Sequence, residues 1–409
     1  MYRAVKLRIY PTVDQEAYLA QCFGNTRWLW NYMLNLTSTQ YKETGKGLSK
    51  AAMDRLLPGL KKEYEWLGLA YSQVLQRVTF NLSSAFVNFF EGRAKYPNFK
   101  SKFGKQSIQY PQNVKLEVER STIKFPGLLG IVSAVFHREL PDAKFTTVTV
   151  CRQTDGRYYA SILFDQIDEP VVAVNQAIGV DLGLKNFAIT SEGSKYDLPK
   201  KRLAKLEKNR KQKQKKLARK TDKKSGKRKK AHRQVARVSS KIAKIREDFL
   251  HKLSRKIAYE NQVICVEDLA VKNLVKNHNL AKAISDIGWG MFLTMLKYKA
   301  QKFGHQYVEV GRFFPSSQLC HVTLLPIPIL QRGYDSLDVR VVDCPHCNVQ
   351  HDRDVNAAIN IKNEGLRLLA LGTSASAQGG SVRPKMPGRK KSVVSEATAD
   401  ELGNPHHTQ

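Results

Sequence analysis

The chain has 409 residues, of which 42% are hydrophobic and 25% charged, the composition of a globular protein with about two to four domains. Lys and Arg number 68 against 36 Asp and Glu, and the formal net charge of +32 repels itself in the folded state unless a polyanion neutralises it. The composition therefore favours a nucleic-acid partner over an anionic membrane surface. Scattered cysteines, no long apolar run and no secretory signal together predict a cytosolic protein.

The N-terminal segment is predicted to form a strand followed by two long helices. "KLRIYPT", over 6–12, alternates like a strand and stops at Pro11, and a helix begins at Asp14 and ends near Gly45. A second helix, over 72–92, carries apolar residues at the spacing of a buried stripe, namely Leu75, Val78, Leu82, Phe86 and Phe89. We interpret that stripe as core.

Basic and aromatic residues are interleaved in "RAKYPNFKSKFGKQSIQY", over 93–110. Aromatic rings stack on unpaired bases and cations pair with phosphates, so this mixture suits single-stranded nucleic acid or RNA. A loop with packed aromatic rings explains it equally well. The candidate contacts in this region, counting the polar face of the preceding helix, are Gln76, Arg77, Lys100 and Lys102.

Short alternating runs follow, from Val114 to Phe164, and "QTDGR" supplies a hairpin turn between the last two. This pattern predicts a small antiparallel sheet or barrel, completed by the N-terminal strand.

A lysine-rich stretch over 200–250 has strong helix formers and a break near Ser225 and Gly226. Its second arm repeats apolar residues at heptad-like spacing: Val235, Val238, Ile242, Ile245 and Phe249. We predict an antiparallel helical hairpin with a basic surface that contacts a polyanion, with Arg210 and Lys213 as candidate contacts.

Carboxylates stand in three apolar contexts. Asp181 lies inside "IGVDLGLKNFAIT", Glu267 ends a five-residue apolar strand and is followed by Asp268, and Asp352 and Asp354 open a predicted helix. Two-metal phosphodiester cleavage needs acids from separate elements that converge on one point, and these three contexts can provide them. A cross-strand lysine that pairs with Asp181 is the structural alternative.

Taken together, the motifs resemble the TnpB family, the RNA-guided DNA endonucleases of insertion sequences and relatives of the type V CRISPR nucleases. The resemblance rests on "LRIYPT", "GVDLGLKNFA", "VEDL", "AISDIGWG", "FPSSQLC" and "DRDVNAAINI" and omits about the last forty residues. It implies an RNase H-like RuvC nuclease domain whose Mg²⁺ ligands and catalytic acids are Asp181, Glu267 and Asp354. Arg353 would position phosphate or form a surface salt bridge.

The resemblance also implies a multidomain α+β fold. It contains a helical recognition lobe, a small antiparallel β-barrel called the wedge, a RuvC α/β domain with a helical-hairpin insert, and a small zinc-ribbon-like insert. The expected boundaries are 1–10 and 105–175 for the wedge, 11–104 for recognition, and 176–315 with 350–371 for the nuclease, including the hairpin at 200–250. The ribbon would occupy 316–349, and the Ser- and Gly-rich tail, 372–409, is expected to be disordered.

Partners and activity follow from the same resemblance. The expected partners are a guide RNA from the element's own locus, with one protein per RNA, and a double-stranded DNA target in a prokaryotic cytoplasm. The expected reaction is Mg²⁺-dependent cleavage beside a short target-adjacent motif, with two metal ions at the acids. The alternative is RNA-guided DNA binding without cleavage, by a regulator or a decayed element.

The ribbon departs from the family pattern of two Cys-x-x-Cys knuckles. Cys344 and Cys347 form one knuckle, but Cys320 stands alone because Thr323 occupies the other cysteine position. A zinc site would need a fourth ligand from a set of three histidines, His321, His346 and His351. Apolar packing in place of the metal is the alternative hypothesis.

Overall fold

The computed structural model describes residues 2–165, 175–222, 224–276, 281–331 and 339–372. The expected disorder of 373–409 lies outside these residues, as do 166–174 at the end of the expected wedge. In the described ranges no helix is both long and apolar enough to cross a membrane.

The N-terminal part contains the predicted strand and helices. β1 spans Tyr2–Tyr10 and is followed by four helices: α1 (Val13–Thr44), α2 (Lys50–Glu63), α3 (Glu65–Gly68) and α4 (Ser72–Phe90). Thr12 caps α1 by accepting a hydrogen bond from Gln15 N, and the Gln15 side chain accepts one from Thr12 N, which is a capping box. Pro11 therefore ends the strand and Thr12 starts the helix. The C-terminal end of α1 is closed by Gly45, at a φ of 69°.

Six further strands form one antiparallel sheet together with β1. They are β2 (Gln106–Tyr110), β3 (Lys115–Glu117), β4 (Thr122–Lys124), β5 (Ile131–Val135), β6 (Phe145–Arg152) and β7 (Tyr158–Asp165). The order is β2-β6-β7-β1-β5-β4-β3, with β1 paired to β7 and β5. Apolar residues of this sheet and of α1, α2 and α4 form one core.

The predicted closed barrel is not found among the described strands, because β2 and β3 are the two free edges of an open sheet. β3 and β4 have three residues each, which is too short for the tilted, staggered pairing that closure requires. The predicted hairpin is confirmed between β6 and β7, where Gly156 takes a φ of 83°.

A second sheet has five strands in the order β10-β9-β8-β11-β12. The strands are β8 (Ala177–Asp181), β9 (Ala188–Thr190), β10 (Lys195–Tyr196), β11 (Val263–Glu267) and β12 (Gln306–Val310). β8, β9 and β10 form an antiparallel meander, and β11 lies parallel to both β8 and β12. The carboxyl ends of β8, β11 and β12 therefore lie at the same end of the sheet, and the loops that follow these three strands begin there.

Helices surround this sheet. α5 (Lys200–Ala218) and α6 (Gly226–Glu260) form the predicted hairpin, with Ser225 as the N-cap of α6. α7 (Val271–Leu274), α8 (Ala281–Ile287) and α9 (Trp289–Lys302) follow β11. α6 and α9 share a core with β8 and β11, in which the rings of Phe187 and Phe292 lie 5.0 Å apart.

The last elements are a short hairpin, β13 (Val341–Asp343) and β14 (Gln350–Asp352), and a final helix, α10 (Arg353–Ala370). α10 packs on the second sheet through two glycines. A Cβ at Gly179 of β8 would lie 2.0 Å from Ala358 O, and one at Gly365 would lie 2.3 Å from Cys265 Sγ. The backbone of α10 thus lies directly on β8. This close approach is possible because Gly179 has no side chain.

Candidate metal and nucleic-acid sites

Strand register places Asp181 and Glu267 side by side. Val180 pairs with Val266 in the parallel β8–β11 ladder, so the next residues, Asp181 and Glu267, emerge at the same edge of the sheet. The residue paired with Asp181 on the other side is Ile189 of β9, which rules out the cross-strand lysine considered for that position. The charged groups that interact with the Asp181 carboxylate therefore come from other elements.

Asp354 reaches the same edge from the opposite direction. It is the second residue of α10, and the close packing at Gly179 brings the start of this helix to β8. The pKa of Asp181 is raised to about 6, first by burial and then by the negative charge of Asp354. The structure thus brings Asp181 into electrostatic contact with both other predicted acids, since its own charge acts on Glu267 as well.

Burial and mutual repulsion affect Glu267 in the same way. Burial first, then the charges of Asp181 and Asp268, raise the pKa of Glu267 to about 7. Carboxyls whose pKa rises in this way carry negative charge that the protein does not balance, and a bound cation relieves that cost.

The two neighbouring acids have partners of their own. Asp268 pairs with Arg312 at 2.7 Å and accepts from Ala270 N, and its pKa is lowered by these contacts. Asp352 is the N-cap of α10 and pairs with Lys195 at 2.6 Å. Both are thus engaged in structure, unlike Glu267, whose surroundings are apolar burial and neighbouring negative charge.

Two arginines lie at the acids. Arg340 Nη1 donates to both oxygens of Asp354, at 3.1 and 3.4 Å. Arg353 is buried, with 9% of its surface exposed, and its charge lowers the pKa of Asp181 against the larger effect of burial. Arg340 was not among the residues predicted from the sequence, where its one signal is a cation directly before the alternating run that forms β13.

A second group of candidate ligand atoms has shorter distances between its members than the three acids have. Cys320, Cys344, Cys347 and His351 place one ligand atom each within 4.8 Å of all the others. Within the described ranges, no other set of three or more Cys, His, Asp or Glu side chains does so. The three acids are therefore spread more widely than this cluster.

Distances inside the cluster suit a tetrahedral ion. Cys320 Sγ lies 3.6 Å from Cys347 Sγ and 3.4 Å from His351 Nε2, and Cys347 Sγ lies 3.5 Å from His351 Nε2. Zn–S bonds of about 2.3 Å and Zn–N bonds of about 2.0–2.1 Å in a tetrahedron give edges of about 3.8 and 3.5 Å.

Of the three candidate histidines, His351 is the one that joins the thiols. The His321 ring bonds to Asn356 Oδ1, and His346 Nε2 lies 3.2 Å from Pro326 O. β13 and β14 explain the choice, because Val342 pairs with His351 and so holds its ring across from the Cys344 knuckle. Burial raises the pKa of the Cys320 thiol, but hydrogen bonds from Thr323 and neighbouring groups outweigh it and lower the pKa to about 5.

Apolar packing is present as well. Ile327 and Leu330, from the stretch that replaces the usual polar turn, are buried against Cys320 and Cys344. The apolar residues thus surround the ligand cluster and leave its four ligand atoms together, so this packing does not take the place of the ligands.

Two predicted nucleic-acid contacts line one cavity of about 560 Å³ between α1, α4 and β2, namely Arg77 and Lys100. Arg77 Nε donates to Gln109 Oε1 at 3.2 Å. The Lys100 ammonium lies 3.6 Å from the ring centroid of Trp30, and burial, helped by Lys105, lowers its pKa to about 8.

The other predicted contacts are dispersed. Gln76 and Lys102 are exposed outside that cavity, and Lys213 is half-buried on α5. Arg210 pairs with Glu207 at 2.6 Å, so part of its guanidinium already has a protein partner. The aromatic residues of the same segment differ in their surroundings. Tyr96 packs on Phe89, whereas Phe99 and Phe103 are exposed.

Three family profiles match the chain. They are described as "Probable transposase", over 151–278, "Cas12f1-like, TNB domain", over 289–361, and "Helix-turn-helix domain", over 1–46. In the structure the last range holds β1 and the single unbroken helix α1.

Curated relatives match over nearly the whole chain. A protein of Streptomyces pristinaespiralis named "Putative RNA-guided DNA endonuclease" is 37% identical over 94% of this chain and 92% of its own. "Putative RNA-guided DNA endonuclease InsQ" of Escherichia coli K12 is 28% identical over 90% of this chain and 94% of its own. A solved chain titled "Cryo-EM structure of the Cas12f1-sgRNA-target DNA complex" is 13% identical over 89% of this chain and 99% of its own, with a TM-score of 0.48.

Proposed function

The chain belongs to the TnpB family, and from that premise we propose that it is an RNA-guided DNA endonuclease of an insertion sequence. The observation that carries the proposal is the meeting of Asp181, Glu267 and Asp354 at one edge of the second sheet, with the first two at raised pKa values of about 6 and 7. A protein that only binds nucleic acid has no need for such unbalanced acids.

The sheet order supports an RNase H-like, RuvC-type nuclease domain. An antiparallel meander of β8, β9 and β10 continues on the other side of β8 into the parallel strands β11 and β12. Acids at the ends of β8 and β11 and at the start of α10 then converge from three separate elements, as two-metal phosphodiester hydrolysis requires.

Mg²⁺ fits the donor set, because it prefers carboxylate oxygens, and burial together with mutual repulsion raises the pKa values of Asp181 and Glu267. Asp181 and Glu267 would hold the cations from the sheet and Asp354 from the helix. When bound, the cations would supply Lewis acidity and favour deprotonation of the attacking water.

The arginines have distinct tasks in this proposal. Arg353 favours the ionised form of Asp181, as its effect on the pKa indicates. Arg340 is the counter-cation of Asp354, and its guanidinium would be available at the site to pair with a phosphate oxygen of the DNA.

Domain roles are also part of the proposal. The sheet of β1–β7 with its helices would correspond to the wedge and recognition regions, and 176–315 with 350–371 to the nuclease. The cavity at Arg77 and Lys100, with α5 and α6, would contact guide RNA and target DNA. Base pairing with the guide would then select the target.

The test uses the protein co-expressed with RNA from its own locus. The bound RNA is sequenced, and the complex is incubated with Mg²⁺ and matching DNA flanked by randomised sequence. Cleavage next to an enriched short motif is the expected result. Binding to the matched DNA without cleavage by the unmutated protein would instead favour the non-cleaving alternative.

Activity should depend on pH in a direction set by the two raised pKa values. Both folded-state values lie above those of free carboxyls, so protons compete with Mg²⁺ for Asp181 and Glu267 as the pH falls through about 7 and then about 6. We expect the cleavage rate to fall on this acid side, and to fall at a lower pH when Mg²⁺ is raised. Initial rates at limiting and saturating Mg²⁺ check this, and an acid limb that ignores Mg²⁺ would contradict it.

We also propose that Cys320, Cys344, Cys347 and His351 hold one structural Zn²⁺. Metal analysis of the purified protein should give about one zinc per chain, and chelation should lower the thermal unfolding midpoint. His351→Ala should reduce the zinc content. His346→Ala is the matched control, because its ring bonds to Pro326 O outside the cluster, and equal zinc loss in both variants would argue against the assignment.

A further inference from the structure

Phe313 lies immediately beyond the edge that carries the acids. Val310, the last residue of β12, pairs with Glu267, and Phe313 follows it by three residues, a reach of at most about 11 Å of chain. Its side chain is 93% exposed. Single exposed apolar residues are common on protein surfaces, so exposure alone assigns nothing.

The turn that carries this ring is firmly attached. Phe314 N donates to Gly311 O at 3.0 Å and closes the turn, and Arg312 pairs with Asp268 at 2.7 Å. Phe314 itself points inward, where it packs with Val310 and Ile361. Of two adjacent phenylalanines, one is therefore an internal anchor and the other is held outside.

The same turn is joined to α10, the helix that carries Asp354. The side chain of Asn360 donates to Ser316 O at 2.8 Å, and Ser316 N donates to Phe314 O at 2.8 Å. The backbone at Phe313 is thus anchored both to Asp268, next to Glu267, and to α10, which carries Asp354.

Resting on the proposed function, we propose that Phe313 is a substrate-positioning residue that stacks on an unpaired base of the DNA strand in the nuclease site. Bases in a duplex already stack on one another, so a lone protruding ring selects a strand whose bases are unpaired. Exposed Lys185 and the guanidinium of Arg340 lie on loops at the same edge and complement the phosphates of that strand.

The consequence is an effect on substrate positioning. Base–aromatic stacking contributes about 1–3 kcal/mol per base by alanine substitution, so kcat/KM for cleavage should fall about 5- to 150-fold in Phe313→Ala. Phe313→Leu keeps apolar area but loses the ring and should be similarly impaired, whereas Phe313→Tyr should restore activity. Phe90→Ala is the matched control. Phe90 is 72% exposed, and it lies on α4, which shares a core with the sheet of β1–β7 and not with the sheet that carries the acids.

A readout independent of cleavage uses the guide complex of Asp181→Ala with target DNA that carries 5-iodouracil at successive positions. Irradiation should crosslink the base to Phe313, mapped by peptide mass spectrometry, and the crosslink should disappear in Phe313→Leu. Wild-type cleavage by Phe313→Leu, or a bound strand that crosslinks elsewhere but never at Phe313, would overturn the inference. Failure of the unmutated protein to cleave would instead refute the proposed function, and the crosslink would still decide on Phe313.

Discussion

Asp181→Asn should abolish cleavage and at the same time stabilise the metal-free protein. A ligand that the reaction needs is lost, so we expect a rate decrease larger than the about 10- to 100-fold that removal of an outer-shell partner costs. The folded-state pKa of about 6 lies above the ordinary 3.8, so ionised Asp181 destabilises the metal-free fold at neutral pH. This cost decreases as the pH falls from about 6 to 3.8, where the side chain is protonated in both states. The uncharged amide should remove about 1–3 kcal/mol of that cost.

Thermal unfolding with and without Mg²⁺ measures both effects. The unmutated protein should gain stability when Mg²⁺ is added, because the ion binds the folded state, and Asp181→Asn should lose that response. Asp352→Asn is the matched control, since its carboxylate already pairs with Lys195 and an amide oxygen can still cap α10. Cleavage by Asp181→Asn at the rate of this control would remove the acid from the proposed site.

Gly179→Ala should also eliminate cleavage, without touching any acid. The new Cβ would lie 2.0 Å from Ala358 O and 2.7 Å from Lys362 N, which is backbone that cannot yield by rotating a side chain. α10 must shift away from β8, and it carries Asp354 with it. Overpacking of this kind costs about 1–3 kcal/mol or more, so the unfolding midpoint should fall as well.

Gly59→Ala is the control for this substitution. Gly59 is exposed in α2 and has nothing within 4 Å of a Cβ, so alanine should leave cleavage unchanged and stabilise the helix by up to about 1 kcal/mol. Full activity in Gly179→Ala would show that α10 can be displaced without consequence, against the proposed role of the close packing.

Local sequence signals predicted the elements that carry the acids, and for clear reasons. A short apolar run ending in Glu267, and an Asp-rich start before an amphipathic segment, give the strand end and the helix start that the structure has. The break at Ser225 is likewise a local capping signal. α2 had no counterpart among the predicted elements, because Pro58 and Gly59 in its interior obscure the helical pattern.

Features that depend on distant pairing could not be predicted in the same way. His351 joins the three thiols because the β13–β14 register sets it beside them, whereas its spacing in the sequence fits no usual zinc motif. Sheet closure depends on whether two edge strands reach each other, and the alternation of apolar residues in each strand carries no information on that. Arg340 was missed because its role exists only through contact with Asp354.

The central place of β1 also has a consequence for synthesis. Tyr2 pairs with Asp165, so the first strand to leave the ribosome stays without one of its neighbours until β7 has been translated. At about 5–20 residues per second, that wait is roughly 10–30 s. During it, Leu7 and Ile9, which are almost fully buried in the finished protein, lack the completed sheet and core around them. Nascent chains of this protein are therefore expected to need a chaperone, and fragments that stop before β7 to aggregate.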